Sequence, residues 1–337
     1  MIGKPPPVSV NMCCYNSERY LARAVQSVLD QTFKEFELII VNDGSSDRTE
    51  EIVRTFEDPR IRYEYQENRG LAATRKRALE LSRGKYIAFL DHDDLWVRDK
   101  LALQIPLMEA RDDVAVVYGN AATIDGDGNV ISENWAGFRA RDGNVFADLL
   151  LDGNFVNWQT VVIRRSLLER VGGFRPYKIA EDYDLLLRCA VDHMFVGIDC
   201  VLAQFRRHTS NYSYSRIGDP FHSRRRLGEQ WVELLEIKEY WLANLPPQHT
   251  QLIPALQRDI AKLHYWLGRH FCLAGDIQGG RAHLQQAASN SAYVWCASTV
   301  SALAELLGSR FYPGFERLVG NRAFRYLMKR FARQKGA

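Results

Sequence analysis

The sequence predicts an α/β fold: a mostly parallel sheet flanked by helices, followed by an all-helical C-terminal extension. Three observations carry this expectation. Over the first 120 residues, short apolar runs alternate with stretches of helical periodicity, the pattern of an open parallel sheet. The runs Phe36–Val41 and Lys85–Leu90 are nearly continuous in apolar residues, as strands covered on both faces are. From about Pro220 onward every periodic stretch is helical.

Taken in order, Val8–Cys14 reads as the first strand, and Glu18–Leu29 as a helix with Leu21, Val25, Val28 and Leu29 on one face. Phe36–Val41 is a buried strand, and Asp47–Phe56 a helix whose early acids suit the positive end of its dipole. Ile61–Tyr65 alternates as a strand, Gly70–Ser82 is helical, Lys85–Leu90 is a strand and Asp99–Ala110 a helix. Ala121–Ile124 and Val130–Ile131 flank the turn Asp125–Asn129 as a hairpin. That turn has the look of a calcium loop, but Val130 stands where such a loop needs glycine and Ala136 where it needs glutamate. Glu181 opens a helix, and a strand-like run from Val201 leads to His208. The length of 337 residues, at roughly 100–200 residues per domain, suggests two domains, set at 1–215 and 216–337.

Composition narrows the class. Apolar residues make up 46% and charged residues 25%, and the 16 Phe, 15 Tyr and 7 Trp exclude a disordered chain. The six cysteines contain no C-x-x-C pair, which argues against a disulfide scaffold or structural zinc and favours a reducing compartment. Met1–Pro7 lacks the apolar stretch of a signal peptide. The nearest approach to a membrane span, Ser291–Gly308, is interrupted by Glu305 and reads as a buried helix. The formal net charge is +3, but Arg310–Ala337 carries eight basic residues and one acid, so the basic character is concentrated in the tail.

In an open α/β sheet, ligands bind beyond the carboxyl ends of the strands. Acids gather there: Asn42-Asp43 after the second strand and Asp91-His92-Asp93-Asp94 after the fourth. Neither G-x-G-x-x-G after a strand nor G-x-x-x-x-G-K-[ST] occurs, which excludes a dinucleotide-binding dehydrogenase and a P-loop enzyme. Without a glycine cradle, a bound phosphate needs another source of positive charge, and carboxylates holding a divalent cation provide one. Asp91 and Asp93, one residue apart, suit a shared site in which one ligates the metal and the other meets a ribose hydroxyl; helix capping by Asp94 or Asp99 is the plainer alternative. Asp43 is placed to accept from a base or a ribose. Glu181 and Asp182 either complement a helix dipole or supply a general base. His208 is a candidate additional metal ligand.

Together these pieces resemble the signature of family-2 glycosyltransferases. The matching segments are Tyr15-Asn16, Ser27–Thr32, Val41–Asp47, Gly84–Asp94, Val171–Phe174 followed by Glu181–Asp184, and Arg207-His208, in order over about residues 7 to 212. The resemblance implies the GT-A type (Rossmann-like) fold and inverting transfer of a hexose-type sugar from a nucleotide-diphosphate donor to a hydroxyl acceptor. It also implies Tyr15, Asn16, Asp43, Arg75, Lys76 and Asp91 at the nucleotide, Asp93 and His208 on Mn or Mg, Asp182 as the base and Glu181 as its support. The chain departs from the family pattern at Lys76, which suits a phosphate contact, and at Ala78. A nucleotidyltransferase and a catalytically silent sugar-nucleotide binding module are the alternatives from other classes.

In the helical region, Leu267-Gly268, Phe271, Gly275-Asp276, Gly280, Leu284 and Ala287 resemble a single tetratricopeptide-type hairpin. Near the end, Phe324, Leu327, Met328 and Phe331 share one helical face, and Arg322, Arg325, Lys329 and Arg333 the other. Such a helix suits an anionic membrane surface or a docking position on the protein's own core; the basic face lacks interleaved aromatics, which argues against nucleic acid. The expected setting is cytoplasmic, peripheral to the inner face of the cell membrane, in the synthesis of cell-surface polysaccharide or a lipid-linked glycan.

Overall fold

In a computed structural model, the chain is described over residues 5–208, 211, 220–290 and 298. It folds as two compact units, Met1–Tyr214 and Ser215–Ala337.

The first unit runs β1 (Val8–Cys14), α1 (Leu21–Leu29), β2 (Phe36–Asp43), α2 (Thr49–Arg54), β3 (Ile61–Gln66), α3 (Leu71–Leu81), β4 (Tyr86–Phe89), β5 (Leu95–Trp96), α4 (Lys100–Ala110), β6 (Val114–Ile124) and β7 (Val130–Ser132). It continues with α5 (Phe146–Asp152), the 3₁₀ turn Trp158–Thr160, β8 (Val162–Arg164), α6 (Arg165–Arg170), α7 (Glu181–Ala190) and β9 (Met194–Arg206). One sheet takes the order β3-β2-β1-β4-β8-β6-β9-β5, with β7 paired to β6. β1, β2, β3, β4, β6 and β9 point the same way, whereas β5, β7 and β8 run against them.

β1 pairs with β2 from Val8↔Phe36 to Cys14↔Asn42 and with β4 from Val8↔Tyr86 to Asn11↔Phe89. Strand order therefore reverses at β1, and the crevice beyond its carboxyl end is flanked by the acidic ends of β2 and β4. The period of two along β1 explains the core. Val8, Val10, Met12 and Cys14 pack on one face with Leu21, Ala24, Val25 and Val28 of α1. Ile39 and Val41 of β2 turn to the other face, against Ala78 and Leu81 of α3.

Two helices begin later than the periodicity suggests. Asp47 stays outside α2 because its carboxylate accepts from the Thr49 N–H (3.0 Å) and the Glu18 N–H (2.9 Å), so it caps the turn instead of joining it. The same bond holds Glu18 ahead of α1, whose first helical residue is Leu21. The Asp125–Asn129 turn is the expected hairpin: Asp125 Oδ1 accepts the N–H groups of Asp127, Gly128 and Asn129, each at 2.9 Å.

The second unit contains α8 (Pro220–Ala243), a 3₁₀ turn Pro247–Leu252, α9 (Ile253–Ala274) and α10 (Ile277–Ala288). α9 and α10 form the expected helical hairpin. Their backbones approach at Gly268, where an added Cβ would come within 2.6 Å of Leu284 Cγ and 2.9 Å of the Gly280 carbonyl oxygen. Lys238 of α8 forms an ion pair with Asp259 of α9. Among the described residues no helix is long and apolar enough to cross a membrane. Apart from Ser298, which is helical, the helix expected in Ser291–Gly308 and the basic amphipathic helix near the chain end lie outside the described residues.

Candidate active site

At the carboxyl end of β1, Tyr15 is half exposed and Asn16 adopts a left-handed backbone (φ +48°). A non-glycine residue holds that conformation only where its neighbours fix it. Here Asn16 N–H donates to Ser45 Oγ (2.9 Å) while Asn16 Oδ1 accepts from Ser46 N–H (2.9 Å). The β1 and β2 ends are thus stapled together. Asp43, at the end of β2, is buried and accepts from Gln66 Nε2 (2.7 Å), Arg69 N–H (2.9 Å) and Gly70 N–H (2.9 Å). Its carboxylate folds the segment before α3 over the rim. Gly44 (φ +74°) lies beneath that segment, where a Cβ would come within 2.7 Å of Asn68 N.

The centre of the crevice is Arg75, buried on α3 and reaching two carboxylates. Its Nη2 donates to Asp91 Oδ1 (3.1 Å), and its Nη1 donates to Glu181 Oε1. The guanidinium lies 5.1 Å from the Trp158 ring centroid and 5.9 Å from that of Phe174, a cation–π setting with little water. Lys76 is exposed, about 100° further around the same helix, because α-helical neighbours diverge by that angle. Asp91 keeps 31% of its side-chain surface exposed. Its backbone N–H donates to Gln159 Oε1 (2.8 Å), and its Oδ2 accepts from Gln159 Nε2 (2.7 Å).

Beside this centre, Asp93 Oδ2 and His208 Nε2 are 2.9 Å apart, with Asn211 Nδ2 donating to the same carboxylate oxygen at 3.1 Å. Burial pushes the Asp93 carboxyl up, but the His92 charge and the His208 hydrogen bond outweigh it and hold it below the usual carboxylate range. Fully buried Arg206 fixes this loop to the end of β9: its N–H donates to Asp94 Oδ1 (2.7 Å) and its Nε to the Asp93 carbonyl (2.8 Å). Burial and the adjacent Asp93 and Asp91 charges push the Asp94 carboxyl well above its ordinary range.

Glu181 and Asp182 stand in the first turn of α7. Burial drives the Glu181 carboxyl up to about 8, against the pull of Arg75 and with a further push from Asp182. Glu181 Oε2 is buried and has no hydrogen-bond partner among the described residues. The Asp182 carboxyl is also raised, chiefly by burial and further by Asp91, while Arg75 lowers it. Further along α7, fully buried Asp184 accepts from Arg188 Nε (2.9 Å), and Arg188 also donates to the carbonyls of Val171 (2.6 Å) and Gly173 (2.7 Å). The Gly172-Gly173 loop is thereby tied to the helix that carries both acids.

The structure brings Asp91, Arg75 and Glu181 into direct contact, and separately Asp93 with His208. Gln159, Trp158, Arg206 and Asn211 escaped the sequence reading. Nothing local marks Gln159, Trp158 and Arg206, which reach their partners across at least 68 residues of chain, and Asn211, three residues from His208, also reaches Asp93 118 residues away.

The sequence pattern described as Glycosyl transferase family 2 matches residues 9–172. A curated relative from Escherichia coli, UDP-Glc:alpha-D-GlcNAc-diphosphoundecaprenol beta-1,3-glucosyltransferase WfgD, is 32% identical over 241 residues, covering 71% of this chain and 89% of the relative. Among solved structures, S. aureus TarS 1-349 in complex with UDP-GlcNAc aligns with a TM-score of 0.60 at 18% identity, covering 90% of this chain and 89% of that one. Mannosyltransferase PcManGT from Pyrobaculum calidifontis, in complex with GDP-Man and Mn2+, aligns with a TM-score of 0.56 at 18% identity, covering 97% and 84%. These structural likenesses concern the fold.

Proposed function

The chain belongs to glycosyl transferase family 2, and from that premise we propose that it transfers a hexose from a nucleotide-diphosphate donor to a hydroxyl of a lipid-linked or polysaccharide acceptor, with inversion and with a divalent metal. The observation that carries this reading is the Asp91–Arg75–Glu181 contact at the carboxyl ends of the strands, with Asp93 and His208 beside it. Tyr15, Asn16, Asp43 and Asp91 line the donor side, where Asp91 retains exposed surface and free lone pairs for a ligand hydroxyl.

The donor set at Asp93 and His208 fits Mn or Mg. Among the described residues no three His, Cys, Asp or Glu side chains converge as a self-sufficient metal site. An anionic oxygen and an imidazole nitrogen 2.9 Å apart do suit an ion that fills its other positions with water and substrate phosphate. Such an ion, when bound, offsets the charge that develops on the leaving diphosphate. The remaining steps fall to the chain. Asp182 accepts the proton of the acceptor hydroxyl, whose oxygen forms a bond to the anomeric carbon from the face opposite the leaving group. The bond from that carbon to the phosphate oxygen breaks, and the nucleoside diphosphate leaves with the electron pair. Glu181, held by Arg75, keeps the first turn of α7 in place.

Donor calorimetry with UDP- and GDP-sugars, with and without Mn2+, tests the assignment. Asp93→Ala is expected to abolish the metal-dependent part of binding, and Asp182→Asn to keep donor affinity while losing turnover. Undiminished turnover in Asp182→Asn would remove the base from this account.

The address we propose is the inner, anionic face of a membrane. It is supported by the basic residues of 310–337 and by a relative whose acceptor, by its name, is a diphosphoundecaprenol lipid. Sedimentation with anionic vesicles, with and without the chain beyond residue 315, checks it; equal binding by both forms would rule the tail out.

A further inference from the structure

The strongest feature without an assigned role is the 3₁₀ turn Trp158–Thr160, which lies between β4 and β6. Its backbone is anchored at nearly every polar atom. Gln159 N–H donates to Asn157 Oδ1 (3.1 Å), and the Gln159 carbonyl accepts from Trp96 Nε1 (2.8 Å). The Thr160 carbonyl accepts from Gln104 Nε2 (2.7 Å), and Thr160 Oγ1 accepts from Gly119 N–H (3.2 Å). Gln104 is itself held by fully buried Lys100, whose Nζ donates to Gln104 Oε1 (2.7 Å) over the Trp96 ring. A three-residue turn fixed at so many points can offer a side chain with little rotational freedom.

That side chain is Gln159, and its amide makes two complementary bonds to one residue. Gln159 Oε1 accepts from the Asp91 backbone N–H at 2.8 Å, and Gln159 Nε2 donates to Asp91 Oδ2 at 2.7 Å. The partners fix the amide orientation: a backbone N–H can only donate and a carboxylate only accepts, so a flipped amide would lose both bonds. Arg75 holds Asp91 Oδ1 at 3.1 Å. The carboxylate is therefore clamped at both oxygens, Oδ1 by Arg75 and Oδ2 chiefly by Gln159 with a longer contact from Arg75 (3.4 Å), yet it keeps exposed surface.

We propose that Gln159 is a positioning residue for the donor site: it aims the Asp91 carboxylate at the nucleotide while Trp158, from the same turn, supports Arg75. This rests on the donor-site reading of Asp91 given above. The chemistry is specific to an amide. Glutamate at 159 keeps the acceptor for the Asp91 N–H but sets a carboxylate against a carboxylate; leucine fills similar space and makes neither bond.

The test is calorimetric titration of UDP and GDP, each with Mn2+, into wild type, Asp91→Asn, Gln159→Leu, Gln159→Glu and the Asp91→Asn/Gln159→Leu double variant, with thermal melts of each. Gln159→Leu is expected to weaken binding of the preferred nucleotide about tenfold, the loss of a hydrogen bond to a charged group. Gln159→Glu is expected to bind no better than Gln159→Leu. The double variant is expected to bind as Asp91→Asn does, because Gln159 acts through that carboxylate. Rescue by Gln159→Glu would show that only the backbone bond matters and would overturn the proposal. So would losses that add in the double variant, or unchanged binding by Gln159→Leu beside weakened binding by Asp91→Asn. If wild type binds neither nucleotide, or Asp91→Asn binds as wild type, the donor-site reading falls first and the role of Gln159 with it.

Discussion

At Arg75 a single guanidinium answers to two carboxylates, Asp91 and Glu181, in a setting with little water. Removing it strips the Asp91 carboxylate and the buried Glu181 carboxyl of their shared partner. Arg75→Met is expected to lower unfolding stability by about 3–5 kcal/mol in urea melts, the usual cost of stripping one partner from a buried ion pair. Glu181 gives a signed pH dependence. With its carboxyl raised from 4.5 to about 8, the folded chain binds more protons than the unfolded chain across that interval, so stability falls as pH rises through it. Asp182, the proposed base, also has its carboxyl raised and must be ionised to act, so turnover should rise with pH. Melting temperature and kcat measured from pH 5 to 8.5 are expected to run in opposite directions, and Glu181→Gln to flatten the melting trend. The acids of this site were legible in the sequence because each follows a strand or opens a helix. Gln159 and Arg206 were not, since a lone glutamine or arginine carries no local pattern and its meaning comes from a partner far along the chain.

Among the elements, the buried strands were the clearest. β1 occupies the expected residues, and β2 extends two past its apolar run because Asn42 and Asp43 continue the pairing with β3. Helix starts were less clear, since side-chain caps such as Asp47 compete with the helical pattern. The short antiparallel strands β5 and β8 gave no readable signal: two and three residues are too few for a period. α7 makes a prediction of its own. Arg188 neutralises Asp184 and ties the helix to the Gly172-Gly173 loop, so Arg188→Met should loosen the first turn without touching the donor side. We expect a melting point lowered by several degrees and a fall in kcat, with nucleotide affinity in calorimetry kept close to wild type.

For the molecule as a whole, strand alternation revealed the parallel half of the sheet, whereas the order β8-β6-β9-β5 comes from pairings across long sequence separations that no local pattern encodes. The division at Tyr214 places every candidate site residue within the first unit. A chain ending there is expected to melt cooperatively and to bind nucleotide as the full chain does, which calorimetry on both would check. The bridge at Arg75 also has a consequence for timing. On the roles proposed above, a nucleotide hydroxyl engaging Asp91 would compete for the carboxylate that shares Arg75 with Glu181, beside the proposed base Asp182. On that proposal, arrival of the first substrate readies the ground for the second. Turnover should follow a compulsory sequence in which the nucleotide sugar enters first and the spent nucleotide departs last.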